Sequence, residues 1–379
     1  MNKKAQLRFS ILRGCLAILI SLLIATLLIF ISAKGNNVGE KLGSTMDALT
    51  NLIIRPIISG RGAFATKSFT DILAGMIPTI FTGLATCVMF SANQFNLGAE
   101  GGIMLGAFVS SLVAIYVPMG AGIHMIIAIL ASAVTVGAMM LIPGVLKAKL
   151  GVSEMVCSLM LNYVIMYMVK FLMNTKFADK SKGQVQSLPF LASAKVPELI
   201  SNGSKLTWGF IVALLFVVVT ALFMYRTRWG YAIRMIGINQ DFAKYSGMKV
   251  AAIIVAAQVI GGILTGLGGG IEMLGRETTF NWTALPGYGW TGITIACISG
   301  NNPILVPFAA FFMSYLDKGC SLMSTYCGVP AQLIDIIQGV IFVFFAAEQF
   351  LSGYRQKLVV RSAQQELKEK EAKEGKKDE

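Results

Sequence analysis

The chain has 379 residues, 55% hydrophobic and only 13% charged, about half the charged share of a soluble domain, so a water-soluble globular protein is excluded. A net charge of +13 would suggest nucleic acid in a soluble chain; here it fits cytoplasmic loops that are held inside and face anionic lipid. Apolar runs repeatedly reach the ~20 residues a helix needs to cross a bilayer, and the alternating ~10-residue segments of a transmembrane barrel do not occur.

Lys3, Lys4, Arg8 and Arg13 precede the first apolar run, 14–33. It is too long for a signal-peptide core and reads as an uncleaved first span. A polar stretch, 34–70, follows, with an amphipathic middle at 46–58 suited to the membrane interface. Spans are then expected at 72–92, kinked at Pro78, from the 95–102 stretch to Pro118, and at 123–142, where Pro143-Gly144 ends the helix. A basic segment, 147–151, leads to a span at 154–169, a polar loop at 174–205 and a span at 206–225. The segment 226–249 carries five Lys/Arg and one acid. The next span, 250–271, has Gly262, Gly266 and Gly270 at every fourth position, a ridge for close helix packing. Two short spans, 288–299 and 303–316, turn at Asn301-Asn302-Pro303, and a last span at 329–347 contains Asp335 and Gln338. The fold class is an all-α polytopic membrane protein of about ten transmembrane helices, with broken or short helices near the centre. Residues 1–353 form the transmembrane domain and 354–379 a charged tail, with both termini cytoplasmic.

The stretch Phe95-Asn96-Leu97-Gly98-Ala99-Glu100-Gly101-Gly102 places an amide and a carboxylate at or near membrane depth among glycines. Asn96 and Glu100 are four apart and would point together on one helical face. Two readings stand side by side: the pair meets a solute, or Glu100 bonds backbone groups freed by a broken helix. Asn162 and Gln258 lie mid-span, where interhelical bonding is the commoner role for each alone. Phe280 and Trp282 are candidates to stack on a flat ligand or to form an interfacial aromatic belt. Glu272 is read as interfacial. His124, the single histidine, opens an apolar run. Cys320 and Cys327 share what reads as a short loop, placed to pair if it is extracytoplasmic; the cysteines show no metal spacing.

No nucleophile–base constellation or metal site is visible. The glycines at 60–68 lack the second glycine of a phosphate loop, and those at 266–271 fall inside a span. An ATP-driven process would therefore need a separate ATPase chain. In 226–249, short helices at 231–235 and 240–245 separated by Gly237 would offer Tyr231, Met235 and Ile238 to a protein groove.

Phe95–Gly101, Leu159–Tyr163, the Gly230–Gly247 pattern and the run Phe280…Leu285-Pro286-Gly287-Tyr288-Gly289-Trp290-Thr291-Gly292-Ile293 resemble the membrane permease subunits of bacterial ATP-binding cassette (ABC) importers for simple sugars and branched-chain amino acids. The likeness is greatest to the nucleoside branch linked to basic membrane proteins, and it covers most of the second to tenth spans. One departure is Gly102, where that branch usually has Gln. The resemblance implies a permease in the plasma membrane that forms the translocation path for nucleosides and is not itself an enzyme. Candidate path residues are Asn96, Glu100, Asn162, Gln258, Phe280 and Trp282. Candidate ATPase-coupling residues are Arg228, Gly230, Arg234, Gly237, Asn239, Ala243 and Gly247. The implied partners are an ATPase carrying the ATP and Mg, a second related permease, an extracytoplasmic substrate-binding lipoprotein and membrane lipid. No cofactor is expected in this chain, and no nucleic acid. The alternatives are an ABC permease for a simple sugar such as ribose or galactose, and a proton-coupled secondary transporter with Glu100 or Asp335 as relay.

Overall fold

A computed structural model of the chain describes residues 38–58, 64–179, 185–200 and 203–327, with isolated positions at 23–31, 181, 183 and 336–340. The first span at 14–33, the tenth at 329–347 with Asp335 and Gln338, and the charged tail lie outside the described residues apart from those positions. The helices are α1 (Val38–Ile53), α2 (Thr66–Ser91), α3 (Ala99–Tyr116), α4 (Ile123–Leu150), α5 (Glu154–Leu172), α6 (Gly209–Arg226), α7 (Arg228–Ile238), α8 (Gln240–Tyr245), α9 (Val250–Arg276), α10 (Tyr288–Ile298) and α11 (Val306–Cys327). Among the described residues, six helices are long and apolar enough to cross a membrane, and a seventh if α10 and α11, bent by 115°, count as one. The chain is a polytopic all-α membrane protein.

The chain divides into two compact units, 1–52 with 320–379, and 53–319. In the first, α1 turns Leu42 and Met46 outward and buries Ala48 and Leu52. Asn51 Nδ2 donates to Cys327 Sγ at 3.1 Å. Cys320 and Cys327 both lie on α11, not in a loop; two helical turns separate them by about 10 Å, beyond the reach of a disulfide.

The second unit is built around α9, and the glycine spacing explains why. Side chains added at Gly262, Gly266 and Gly270 would strike Met140, Ala133 and Ser132, so that ridge lies flat on α4. The Ser132 hydroxyl donates to the Gly266 carbonyl across the contact. Gly261 and Gly268 meet Met89 and Phe81 of α2, and Gly269 meets the Ile103 carbonyl of α3. Small residues let backbones approach closely where lipid supplies no hydrophobic drive between helices. By contrast α5 and α6 turn large apolar side chains outward, Val164 and Tyr167 on one, Leu215 and Val218 on the other.

Three sequence expectations need correction. α4 does not stop at Pro143-Gly144 but continues to Leu150, where Gly151 (φ +66°) closes it. Pro143 and Gly144 are buried, and Gly144 packs on Gln258 and Val255 of α9; a proline is tolerated inside a membrane helix where neighbours cover the freed backbone. α9 runs on to Arg276, which makes Glu272 helical and buried, paired with Arg276 at 2.9 Å rather than interfacial. Gly237 lies within α7; the break comes at Asn239, whose side chain caps α8 by accepting from Phe242 N at 2.9 Å.

Candidate translocation site

Between α2 and α3 the chain leaves the helix for residues 92–98. Backbone groups in such a break must find partners inside the protein. Asn93, with φ +54°, turns the chain, and Gln94 N returns to Met89 O at 3.1 Å. Beyond that, α5 supplies the partners. Phe95 N donates to Glu154 Oε1 at 3.1 Å and Leu97 N to Ser158 Oγ at 2.9 Å. Asn162 closes the series: its Oδ1 accepts from Gly101 N at 2.8 Å, and its Nδ2 donates to Leu97 O at 2.9 Å. Glu154, Ser158 and Asn162 recur at every fourth residue, so one stripe of α5 replaces the missing helical turns.

The other flank of the break is held by α9. Asn96 Oδ1 accepts from Gly98 N at 2.6 Å, and Asn96 Nδ2 donates to the Gln258 side-chain carbonyl. Asn96, Asn162 and Gln258 are at most 1% exposed. Asn96 and Glu100 do not point together: the spacing argument requires a helix, and α3 starts only at Ala99. Asn96 reaches α9, whereas Glu100 reaches α10.

Glu100 receives three backbone donors at the start of α10: Gly287 at 2.5 Å, Gly289 at 2.6 Å and Trp290 at 3.3 Å. It therefore caps a helix 187 residues distant in sequence. The positive ends of α3 and α10 both converge on this carboxylate. The approach is possible because residue 289 is glycine; a Cβ there would collide with the Glu100 backbone. The first residue of α10 is held twice more, by Thr82 Oγ1 donating to Tyr288 O at 2.9 Å and by Tyr288 OH donating to Glu272 at 3.1 Å. Contact of Gly292 with Thr82 puts this junction near the middle of α2. Gly102 is buried against Val136 and Thr265, so a longer side chain there would enter the packing between α4 and α9.

The two candidate rings differ. Phe280 is buried, set edge-on to Phe108 at 5.5 Å. Trp282 is half-buried, its ring 6.2 Å from Phe280 and 6.1 Å from Tyr288. Both line a cleft of about 240 Å³ with Lys170, Met173, Asn174 and Thr283.

The candidate coupling residues gather on α7 and α8. Gly230 lies under Met224 of α6, and Gly237 lies against the Ser91 carbonyl at the end of α2. Arg234 stands over the Tyr225 ring at 5.2 Å, Ala243 is buried, Gly247 (φ +79°) ends α8, and Asn239 caps it. Gly230, Gly237 and Ala243 thus face the bundle. The outward face is made by Trp229, Tyr231, Ile238, Phe242 and Tyr245, of which only Tyr231 and Ile238 stood out in the sequence. Glu154 and Ser158 were also missed; a carboxylate and hydroxyl four apart on one helix face were the available signal.

The family model described as branched-chain amino acid transport system / permease component matches residues 68–346. The chain is 32% identical to the glucose ABC transporter permease protein TsgB13 of Haloferax volcanii, over 76% of this chain and 78% of that one. It is 31% identical to the guanosine ABC transporter permease protein NupP of Bacillus subtilis, over 76% and 83%. Identity to the nucleoside ABC transporter permease protein NupB of Lactococcus lactis subsp. cremoris is 29%, over 76% and 81%. No solved structure matches. A broken span clamped by α5 and α9, a half-length helix capped from across the bundle, and a family match over most of the chain agree: this protein is a member of the branched-chain amino acid transport system permease family.

Proposed function

We propose that the chain is one membrane half of an ATP-driven importer and forms the translocation path for nucleosides. The observation that carries this reading is the likeness to the guanosine and nucleoside permeases across about three quarters of the chain. The geometry supports a path that changes shape: two helices begin inside the bundle and share one carboxylate. Asn96, Glu100, Asn162 and Gln258 act in that path as its braces, and Trp282 as a face toward the solute.

The chain makes ten crossings when 14–33 and 329–347 join α2 to α6, α9, α10 with its preceding loop, and α11 (about 20 residues each). Both termini and α7–α8 then face the cytoplasm of the plasma membrane. The ATPase, a separate chain that binds ATP and Mg, docks on Trp229, Tyr231, Ile238, Phe242 and Tyr245. Gly237 passes its movement to Ser91 and the clamped break. A second permease completes the path, and a substrate-binding lipoprotein delivers the ligand on the opposite side.

The sugar reading is favoured by one relative, the glucose permease of Haloferax volcanii. A proton relay through Glu100 is disfavoured, because both its oxygens already bind backbone donors. The test is uptake in proteoliposomes. The assembled importer should accumulate guanosine only with ATP, and this chain alone should accumulate none. Concentrative uptake by the lone chain would overturn the reading, and uptake of glucose or ribose in place of guanosine would move it to sugars.

A further inference from the structure

We infer that the cleft beside Trp282 is a receiving site for the flat heteroaromatic ring of the ligand, with Trp282 as the stacking platform. The inference rests on the importer reading above and names the part of the solute that this chain grips.

The cleft is built on both sides. On one wall α5 widens into a π-turn, Met173–Phe177. Such turns are rare and concentrate at functional sites; this one sets Met173 and Asn174 on the wall. The other wall, Phe280 to Thr283, is pinned by Ser187. Phe280 N donates to Ser187 Oγ at 2.9 Å, and Ser187 N to Phe280 O at 3.0 Å. Phe280 and Tyr288 flank the Trp282 ring and fix it while leaving it half-exposed. A rigid indole with an open face is suited to stack on an aromatic ring.

The rim supplies the rest of the recognition. Asn174, Asn281 and Thr283 line the cleft, and their side chains make no hydrogen bond among the described residues. Two amides and a hydroxyl offer donors and acceptors together, as the edge of a base requires. Lys170 stands at the same rim, its Nζ 5.7 Å from the Tyr167 ring. Among the described residues no Asp or Glu lines the cleft, so none of them offers it the carboxylate that commonly grips vicinal sugar hydroxyls. The volume of about 240 Å³ falls below the ~300 Å³ at which ligand pockets begin to enclose a drug-sized molecule. It suits one ring system, with the sugar left outside.

The test uses the assembled importer in proteoliposomes with guanosine as the probe. Trp282→Ala should raise the KM for ATP-driven uptake about tenfold, the ratio that a modest loss of base stacking gives. Trp282→Phe keeps a flat ring and should stay within about threefold. On the native importer, an azido-guanosine photolabel should attach within 170–174 or 281–283, blocked by excess guanosine but not by excess ribose. A Trp282→Ala importer with native KM, label confined to other segments, or equal protection by ribose would each overturn the inference. If the alanine variant fails to assemble, the photolabel on the native importer decides. Absence of guanosine uptake by the native importer overturns the nucleoside reading instead, and is told apart because it involves no substitution.

Discussion

The carboxylate of Glu100 accepts the backbone N–H of Gly289 at 2.6 Å, so an acid in the first turn of α3 closes a helix other than its own. Helix N-termini leave several N–H groups without partners, and lipid offers none. One side chain answers for Gly287, Gly289 and Trp290 together, tying α3 and the half-length α10 into one joint. Glu100→Gln keeps the shape but turns an amide N–H₂ toward backbone donors. Each buried N–H left unpaired costs about 1–3 kcal/mol. The variant should insert, melt at a lower temperature than the native chain in detergent, and lose most uptake in the assembled importer. A native melting temperature would rule out the joint.

Gly237 lies against the carbonyl of Ser91, where even a methyl group would collide. Ser91 ends α2 and starts the clamped break, so this contact joins α7 to the path. Gly237→Ala should leave the ATPase bound and hydrolysing while uptake per ATP falls severalfold. Gly237→Trp should uncouple the two entirely. The measurement is the ratio of guanosine taken up to phosphate released, and a native ratio in the tryptophan variant would refute the contact's role.

What the sequence made legible was local. The ridge of Gly262, Gly266 and Gly270 is readable because helical periodicity alone brings these residues to one face, and it lies against α4 as that periodicity implies. The spans among the described residues are readable because an apolar run of about 20 residues marks each long one. The joint at Glu100 is not, because its partners lie 187 residues or more away and are backbone groups, which leave no side-chain signature. The pairing of Asn96 with Glu100 misled because the four-residue rule holds only within a helix, and α3 begins between them. Pro143 misled because a proline that would end a soluble helix is accommodated when buried, here beside Gly144, which packs on α9.

Ser158 and Asn162 act on the same strand of backbone, Leu97, from one face of α5. Ser158→Ala removes one acceptor and should cost about 1–2 kcal/mol; Asn162→Ala removes two bonds and should cost about 2–4 kcal/mol. Since both brace one segment, their effects should not add. Unfolding of the two single variants and the double variant in mixed detergent would give the coupling. Strict additivity would show that the break is not a single braced unit.

The last bond of the stripe separates a charge effect from a hydrogen-bond effect. Glu154 uses one oxygen for Phe95 N at 3.1 Å and the other for Lys147 Nζ at 2.9 Å. Lys147 is 29% exposed, and an ion pair with such a partner contributes about 0–1 kcal/mol and weakens with salt. Lys147→Met should therefore change stability little, and the change should vanish at high ionic strength. Glu154→Gln retains an acceptor for Phe95 N and should behave alike. Glu154→Ala leaves that N–H without a partner, adding about 1–3 kcal/mol that salt does not screen. Melting temperatures of the three variants at low and high salt test the ordering, and an alanine variant no worse than Lys147→Met would show that the α5 stripe does not hold the break at Phe95.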